Sequence, residues 1–304
     1  MTTEPRAEAL HVTLTGLTGI ALGREPEIAL SDGFLLSQRT PQLGRVLDDP
    51  FWMGTAEKSS LKSVDCFFCL KSRTPLPTDQ EANRFQNGLM ALQIVKPVPS
   101  IGWIFQGTAF GSGYITVNHT ERRPPMFAGE WAQLSPFDLK QINQSRALLP
   151  KVLARMETGS AEQRNSVILF QLALEHFHPL VKGFFAVMGL EAALGSYGRQ
   201  DFRKKLCSCL GESTQVFPDW NSSSIAPPKY VVGDIALHLY TLRSKIAHGV
   251  DLRKAARDTN VPVDLMRKVE LIEHLEARPY AVLLSEAALY ILCLVLQKHV
   301  AHSP

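Results

Sequence analysis

The chain has 304 residues, 45% of them apolar and 20% charged, with a formal net charge of +3. That length holds two ordinary domains or one large one, and the composition excludes a disordered chain because it supplies enough apolar material for a packed core. The mild charge admits an acidic partner such as RNA but lacks the dense basic footprint of a strong nucleic-acid binder.

The N-terminus, "MTTEPRAEAL", is polar and has no apolar h-region, and the five cysteines are an odd number. Both point to a cytoplasmic chain with free thiols, where the sequon Asn118-His119-Thr120 is idle. The first 130 residues read as mixed α/β. Alternation of threonine with apolar residues predicts a strand over His11 to Ile20, and similar patterns predict strands over Ser63 to Ser72, Ile101 to Phe110 and Gly113 to Thr120. Between them, "TDQEANRFQNGLMALQIV" opens on a capping box, Thr78 with Glu81, and places Phe85, Leu89 and Leu92 at helical spacing. "ERRPPMFAGEW", Glu121 to Trp131, reads as a proline-rich loop.

From Ser135 the pattern turns helical, with Ser135 as N-cap, Pro136 in the first turn and Asp138 at the third position. Pro150 is expected to kink or end that helix. The polar stretch "METGSAEQ", Met156 to Gln163, is expected to carry the domain boundary, giving domains 1–158 and 159–304. The remainder reads as a bundle of about five helices: Asn165 to His178 stopped by Pro179, Leu180 to Gly195 with a glycine cap, Arg199 to Gly211, a helix ending at Gly249, and C-terminal helices. A proline- and serine-containing loop covers Glu212 to Val232. The fold class is therefore α+β, a strand-rich N-terminal domain followed by an all-α bundle. The apolar run Tyr280 to Val300 has the length of a membrane span, but Ser285 and Glu286 inside it favour a buried core helix and no membrane association.

Placed on a helical wheel, "DIALHLYTLRSKIAHG" puts Ile235, Leu239, Leu242 and Ile246 on a core stripe. Arg243 flanks the stripe. Ala236, Ala247, Tyr240, Ser244 and His248 follow round a second face, rich in small residues, that another helix can approach closely. Arg243 and His248 are five residues apart, a turn of about 140° and a rise of about 7.5 Å. They converge only if the arginine bends toward the helix end or if the histidine comes from a partner subunit. The simpler reading is that both are cations near a helix C-terminus, each stabilising by about 0.3–1 kcal/mol.

Tyr240, Arg243, Ser244, Ile246, His248 and Gly249 match the pattern Y..RS.I.HG, and this stretch resembles the Apea-like branch of the HEPN superfamily. "VMGLEAALG" resembles that branch's acidic helix, with Glu191 at the acidic position, and "RNSVILFQLALEHF" resembles its first helix. The likeness spans roughly residues 160 to 300. It implies a helical bundle that dimerises so that two Arg–His pairs form one composite site, here through the face of helix 234–249. It further implies a metal- and cofactor-independent endoribonuclease, in which an RNA 2′-hydroxyl attacks the adjacent phosphate. His248 would move the proton and Arg243 would hold the phosphate. Ser244 would hydrogen-bond the phosphate or cap within the helix, Glu191 would orient Arg243, and Tyr240 belongs to the same supporting set. Similar pairings in the branch suggest anti-phage defence, with residues 1–158 as a sensor for a phage-derived or nucleotide trigger. The interval Ser-Lys-Ile-Ala lacks the tyrosine of toxin-type members controlled by a nucleotidyltransferase, so that regulation is not implied. The second reading is a non-catalytic RNA- or protein-binding module.

Basic residues Arg199, Arg203, Lys204 and Lys205, with Lys245, Arg253, Lys254 and Arg257, would track an RNA backbone or simply form solvated helix faces. Cys66-x-x-Cys69 and Cys207-x-Cys209 have metal-knuckle spacing but lie in strand and helix patterns, so they read as core thiols and no metal is expected. Glu175-His176-x-His178 sits at a helix end without a third ligand. "GTAFGSG", Gly107 to Gly113, lacks the Gly-Lys-Ser/Thr of a phosphate loop and reads as a hairpin loop.

Overall fold

A computed structural model describes residues 10–38, 61–73, 78–109, 115–133, 135–217, 231–249 and 280–301. The chain is α+β, with one antiparallel sheet and eight helices among the described residues. Contacts divide it into two compact units: Met1–Ala128 with Ser135–Ala154, and Gly129–Leu134 with Arg155–Pro304.

The first unit holds strands β1 (Leu10–Leu17), β2 (Glu27–Ala29), β3 (Phe34–Ser37), β4 (Cys66–Ser72), β5 (Trp103–Ala109) and β6 (Ile115–Arg122), in the spatial order β2-β3-β4-β1-β5-β6. Every pairing is antiparallel. The alternation in β1 is the cause of its placement: Val12 and Leu14 join Leu35, Phe67, Cys69 and Phe105 in one buried cluster. Thr13 points to the opposite face, where its hydroxyl donates to Glu81. Glu81 belongs to α1 (Thr78–Val95). The Phe68 ring lies 5.5 Å from Phe34 and 5.3 Å from Phe85 of α1. A Cβ at Gly88 would collide with the Phe34 ring, so only glycine lets α1 come this close.

The two strands not foreseen, β2 and β3, form a hairpin whose turn holds Asp32 at φ 50° and Gly33 at φ 85°. One further expectation needs correction, and another is narrowed. Helix α3 (Leu139–Thr158) is capped by Asp138, not Ser135: the Asp138 carboxylate accepts from Gln141 N–H at 3.0 Å and the Gln141 side chain accepts from Asp138 N–H at 2.8 Å. Ser135 instead accepts from the Lys96 ammonium through its carbonyl at 2.6 Å and its hydroxyl at 2.9 Å. Pro150 does not end the helix, which runs on to Thr158.

The second unit is helical: α2 (Glu130–Gln133), α4 (Ala161–Glu175), α5 (Pro179–Leu194), α6 (Arg199–Leu210), α7 (Val232–Ala247) and α8 (Tyr280–Ala301), with the last residues of α3. Helix α4 begins earlier than expected because Ser160 and Gln163 form a reciprocal capping box. Pro179 opens α5 at its first turn, and Gly195 closes it in the left-handed conformation. Helices α5 and α8 pack closely. A Cβ on Gly183 would meet Ser285, and one on Gly189 would sit 2.8 Å from Leu292. Ser285 and Glu286, which interrupt the apolar run of α8, are buried in this bundle, and Lys182 of α5 approaches Glu286 at 3.9 Å. Helix α8 is the one described helix long and apolar enough by itself to cross a membrane, and 61% of that stretch is buried within the protein.

Candidate functional site

Helix α7 buries Val232, Ile235, Ala236, Leu239 and Leu242. Ile246, expected in the core stripe, is only half-buried, because the stripe runs out at the helix end. Ala236, expected on the second face, is fully buried. Leu237, Tyr240, Thr241 and Ser244 are half-buried, while Ala247, His248 and Gly249 are exposed. The helix stops where glycine permits it. His248 is the cap residue, its N–H donating to Ser244 O at 3.0 Å, and Gly249 follows at φ 71° with its N–H on Ile246 O at 3.1 Å.

Arg243 is held by two neighbours. Its Nε lies 2.9 Å from Glu191 Oε2 on α5. That nitrogen is buried and its N–H is not aligned on any acceptor, so the contact is a close ion pair rather than a well-formed hydrogen bond. The guanidinium carbon sits 5.8 Å from the Tyr240 ring centre, one turn back along α7. Tyr240 in turn packs against Phe202 of α6 at 5.9 Å. Three helices therefore fix one arginine: α5 through a carboxylate, α7 through a ring, and α6 through the ring behind it. A cation–π contact of this kind is worth about 0.5–1 kcal/mol. Glu191 occupies the Nε edge, and the four remaining guanidinium N–H groups have no hydrogen-bond partner among the described residues.

Burial pushes the Glu191 carboxyl above the ordinary carboxylate value, and the Arg243 charge offsets this only in part. In the window between the ordinary value and the raised one, the folded chain holds a proton that the unfolded chain has lost. This group's contribution to stability therefore falls as pH rises through that window. Arg243→Ala is expected to move the Glu191 titration further up, as read by carboxyl-carbon NMR. An unchanged or lowered value would show that the pair is not in contact in solution.

The structure thus brings together Glu191, Tyr240 and Arg243, and places His248 just past the end of the same helix. Ser244 supplies the carbonyl that caps His248. The basic residues of α6 divide. Arg203 is paired with Glu212, and Lys205 donates to Gly195 O at 2.6 Å and pairs with Asp201 at 3.0 Å. Arg199 and Lys204 are exposed. Arg199 is close enough to His238 to help hold its imidazole below the ordinary value, although burial is the larger cause. Lys245 is half-buried, and Arg253, Lys254 and Arg257 lie outside the described residues. Phe202, which the sequence did not single out, backs Tyr240. Its only signal is an aromatic residue in the first turn of α6, the sole apolar position in "RQDFRKK".

The alternative metal and thiol candidates take ordinary structural places. Cys66 and Cys69 are three residues apart on β4, so their thiols face opposite sides of the sheet and do not converge on one ion. Burial pushes both thiols up, Cys69 to about 12. Cys209 lies 3.6 Å from His299 Nε2. The His176 ring stacks on Phe185 at 5.2 Å, and His178 is the N-cap of α5. Among the described residues no group of three or more His, Cys, Asp or Glu is arranged to hold a metal ion. Of "GTAFGSG", Gly107 to Ala109 belong to β5 and the rest lies outside the described residues. Comparison with protein families, curated proteins and solved structures finds no match to this chain.

Proposed function

We propose that the helical unit is an HEPN-type endoribonuclease that cleaves RNA at a composite site built from Arg243 and His248 of two copies of the chain. The observation that carries this reading is the Arg243 clamp. A guanidinium fixed by Glu191 and Tyr240, with four N–H donors unpaired among the described residues, suits a phosphate whose charge grows during reaction. The exposed His248 adds an imidazole that can take up and give a proton.

The chemistry is a transesterification. The RNA 2′-oxygen attacks the neighbouring phosphorus, the bond to the 5′-oxygen breaks, and a 2′,3′-cyclic phosphate and a 5′-hydroxyl result. Within one Arg–His pair the His248 imidazole takes the 2′-hydroxyl proton and, as the imidazolium so formed, gives it to the leaving 5′-oxygen. Arg243 holds the non-bridging oxygens.

The clamp also bears on how the two groups meet. Arg243 leans back over Tyr240 and across to α5, away from the helix end where His248 sits. This lean favours a histidine from a second copy. Leu237, Thr241, Ser244 and His248 fall within a narrow arc of the α7 wheel, with Tyr240 at its flank, on a side that the bundle leaves half-covered or exposed. A second α7 packed there would bring the partner's cap toward the clamp.

The test is incubation of purified protein with mixed RNA in EDTA, followed by analysis of the new ends. Cyclic phosphates from the wild type, and none from His248→Ala with folding intact, are expected. Cleavage that persists in that variant would overturn the assignment. Tight RNA binding without cleavage, even in an expression-toxicity assay, would leave a binding module instead.

A further inference from the structure

Among the described residues of the bundle, the most exposed large hydrophobic side chain is Tyr197, at 86% relative exposure. It lies in the four-residue connection between α5 and α6, and that connection is tightly held. Gly195 adopts φ 57° and Gly198 φ 85°, conformations that favour glycine on both sides of the tyrosine. Ser196 N–H donates to Glu191 O at 3.1 Å, and Tyr197 N–H donates to Asp201 Oδ2 at 2.8 Å. Lys205 closes the arrangement from behind. Its ammonium donates to Gly195 O, pairs with Asp201, and stands 5.9 Å from the Tyr197 ring. The Tyr197 N–H, followed by Lys205, holds the Asp201 carboxyl below its ordinary value, so this anchor stays ionised at neutral pH.

A ring displayed on a fixed backbone loses little freedom when something stacks on it. Its surroundings indicate what that partner is. Between Arg199 and Lys205 there are four basic residues and one acidic, and Arg199 and Lys204 are exposed. Phe177, the other strongly exposed aromatic at 76%, has Glu175 and two histidines beside it and no lysine or arginine before Lys182. Of these two described rings, Tyr197 is the one that stands beside cations. An aromatic face beside a basic helix is the pairing that binds single-stranded nucleic acid, where bases stack and phosphates meet cations. Its position fits as well. Ser196 is bonded to the carbonyl of Glu191, the residue that clamps Arg243, and Phe202 of α6 packs on Tyr240.

We propose that Tyr197 is a base-stacking platform for single-stranded RNA, with Arg199 and Lys204 on the flanking phosphates, and that it leads the strand to the Arg243 clamp. The proposal rests on the ribonuclease reading for its substrate class. The test uses the full chain carrying His248→Ala, so that RNA is bound without being cut. Affinity is measured by fluorescence anisotropy at one salt concentration for a labelled oligoadenylate and for a matched oligomer of abasic sites. Tyr197→Ala is expected to weaken oligoadenylate binding by about tenfold or more, Tyr197→Phe by less than about twofold, and neither to alter binding of the abasic oligomer. Unchanged binding by Tyr197→Ala, equal loss on both oligomers, or no RNA binding by the parent chain would overturn it. Wild-type cleavage run in parallel separates the two readings. Cleavage without a Tyr197 effect removes the platform alone, and a Tyr197 effect without cleavage removes the nuclease alone.

Discussion

Chains carrying Arg243→Ala and chains carrying His248→Ala are each expected to lose cleavage, and their co-expressed mixture is expected to regain it. Loss of a proton-transfer group costs about 10²–10⁴-fold, and loss of a charge-stabilising donor set about 10²–10³-fold. In a heterodimer of the two variants, the chain with intact Arg243 faces the chain with intact His248. One composite pair is then whole and the other doubly defective. Random association of a symmetric dimer puts about half of the dimers in this mixed state, each with half its pairs intact, so the mixture should reach about a quarter of the wild-type rate. The measurement is initial rate against mixing ratio, with a maximum at equal proportions. A mixture no faster than its components would return both groups to one chain and remove the reason given for the dimer. The prediction follows from the clamp, since Arg243 is committed to Glu191 and Tyr240 on the side away from the cap.

Much of the helical unit is legible in the sequence because its punctuation is strong. Pro179 suits the first turn of a helix, and Gly195 takes a left-handed conformation that suits the end of one, so α5 falls within one residue of its expected span. Polar residues mislead where they cap. Ser160 and Gln163 look like linker but form the reciprocal cap of α4, and the three-residue spacing was the available signal. The short strands β2 and β3 offer too few positions for alternation to register. Asp32-Gly33 between apolar flanks marks their turn all the same. The Arg243–Glu191 pair lies furthest from sequence reasoning. Spacing along one helix says nothing about a carboxylate 52 residues upstream on another, and only the likeness to a family pattern suggested the partner. The same limit hid Tyr197, whose meaning depends on which cations the next helix turns toward it.

Glu286→Ala is expected to destabilise the helical unit by about 3–5 kcal/mol, the cost of breaking a buried ion pair by removing one side of it. The Lys182 and Glu286 side chains are 6% and 11% exposed, and their charged atoms are 3.9 Å apart between α5 and α8. At that separation and burial the pair gains little over two well-packed apolar residues, because each ion has given up its hydration. Removing both charges should therefore cost far less than removing one. Lys182→Met with Glu286→Leu is expected to restore most of the stability lost in Glu286→Ala. Thermal unfolding should show the single variant melting about 10 °C lower, from about 2–4 °C per kcal/mol in a unit of this size, and the double variant close to wild type. The neighbouring glycine sharpens the contrast. Gly183 brings the backbone of α8 close at Ser285, so the helices have little slack with which to let water reach Lys182. A single variant that melts within about 3 °C of wild type would mean that Lys182 reaches solvent when its partner is gone, and that the α5–α8 seam opens more readily than its packing implies. Because α5 also carries Glu191, that same opening would loosen the clamp on Arg243, and RNA cleavage in the single variant would fall although its melting temperature hardly changed.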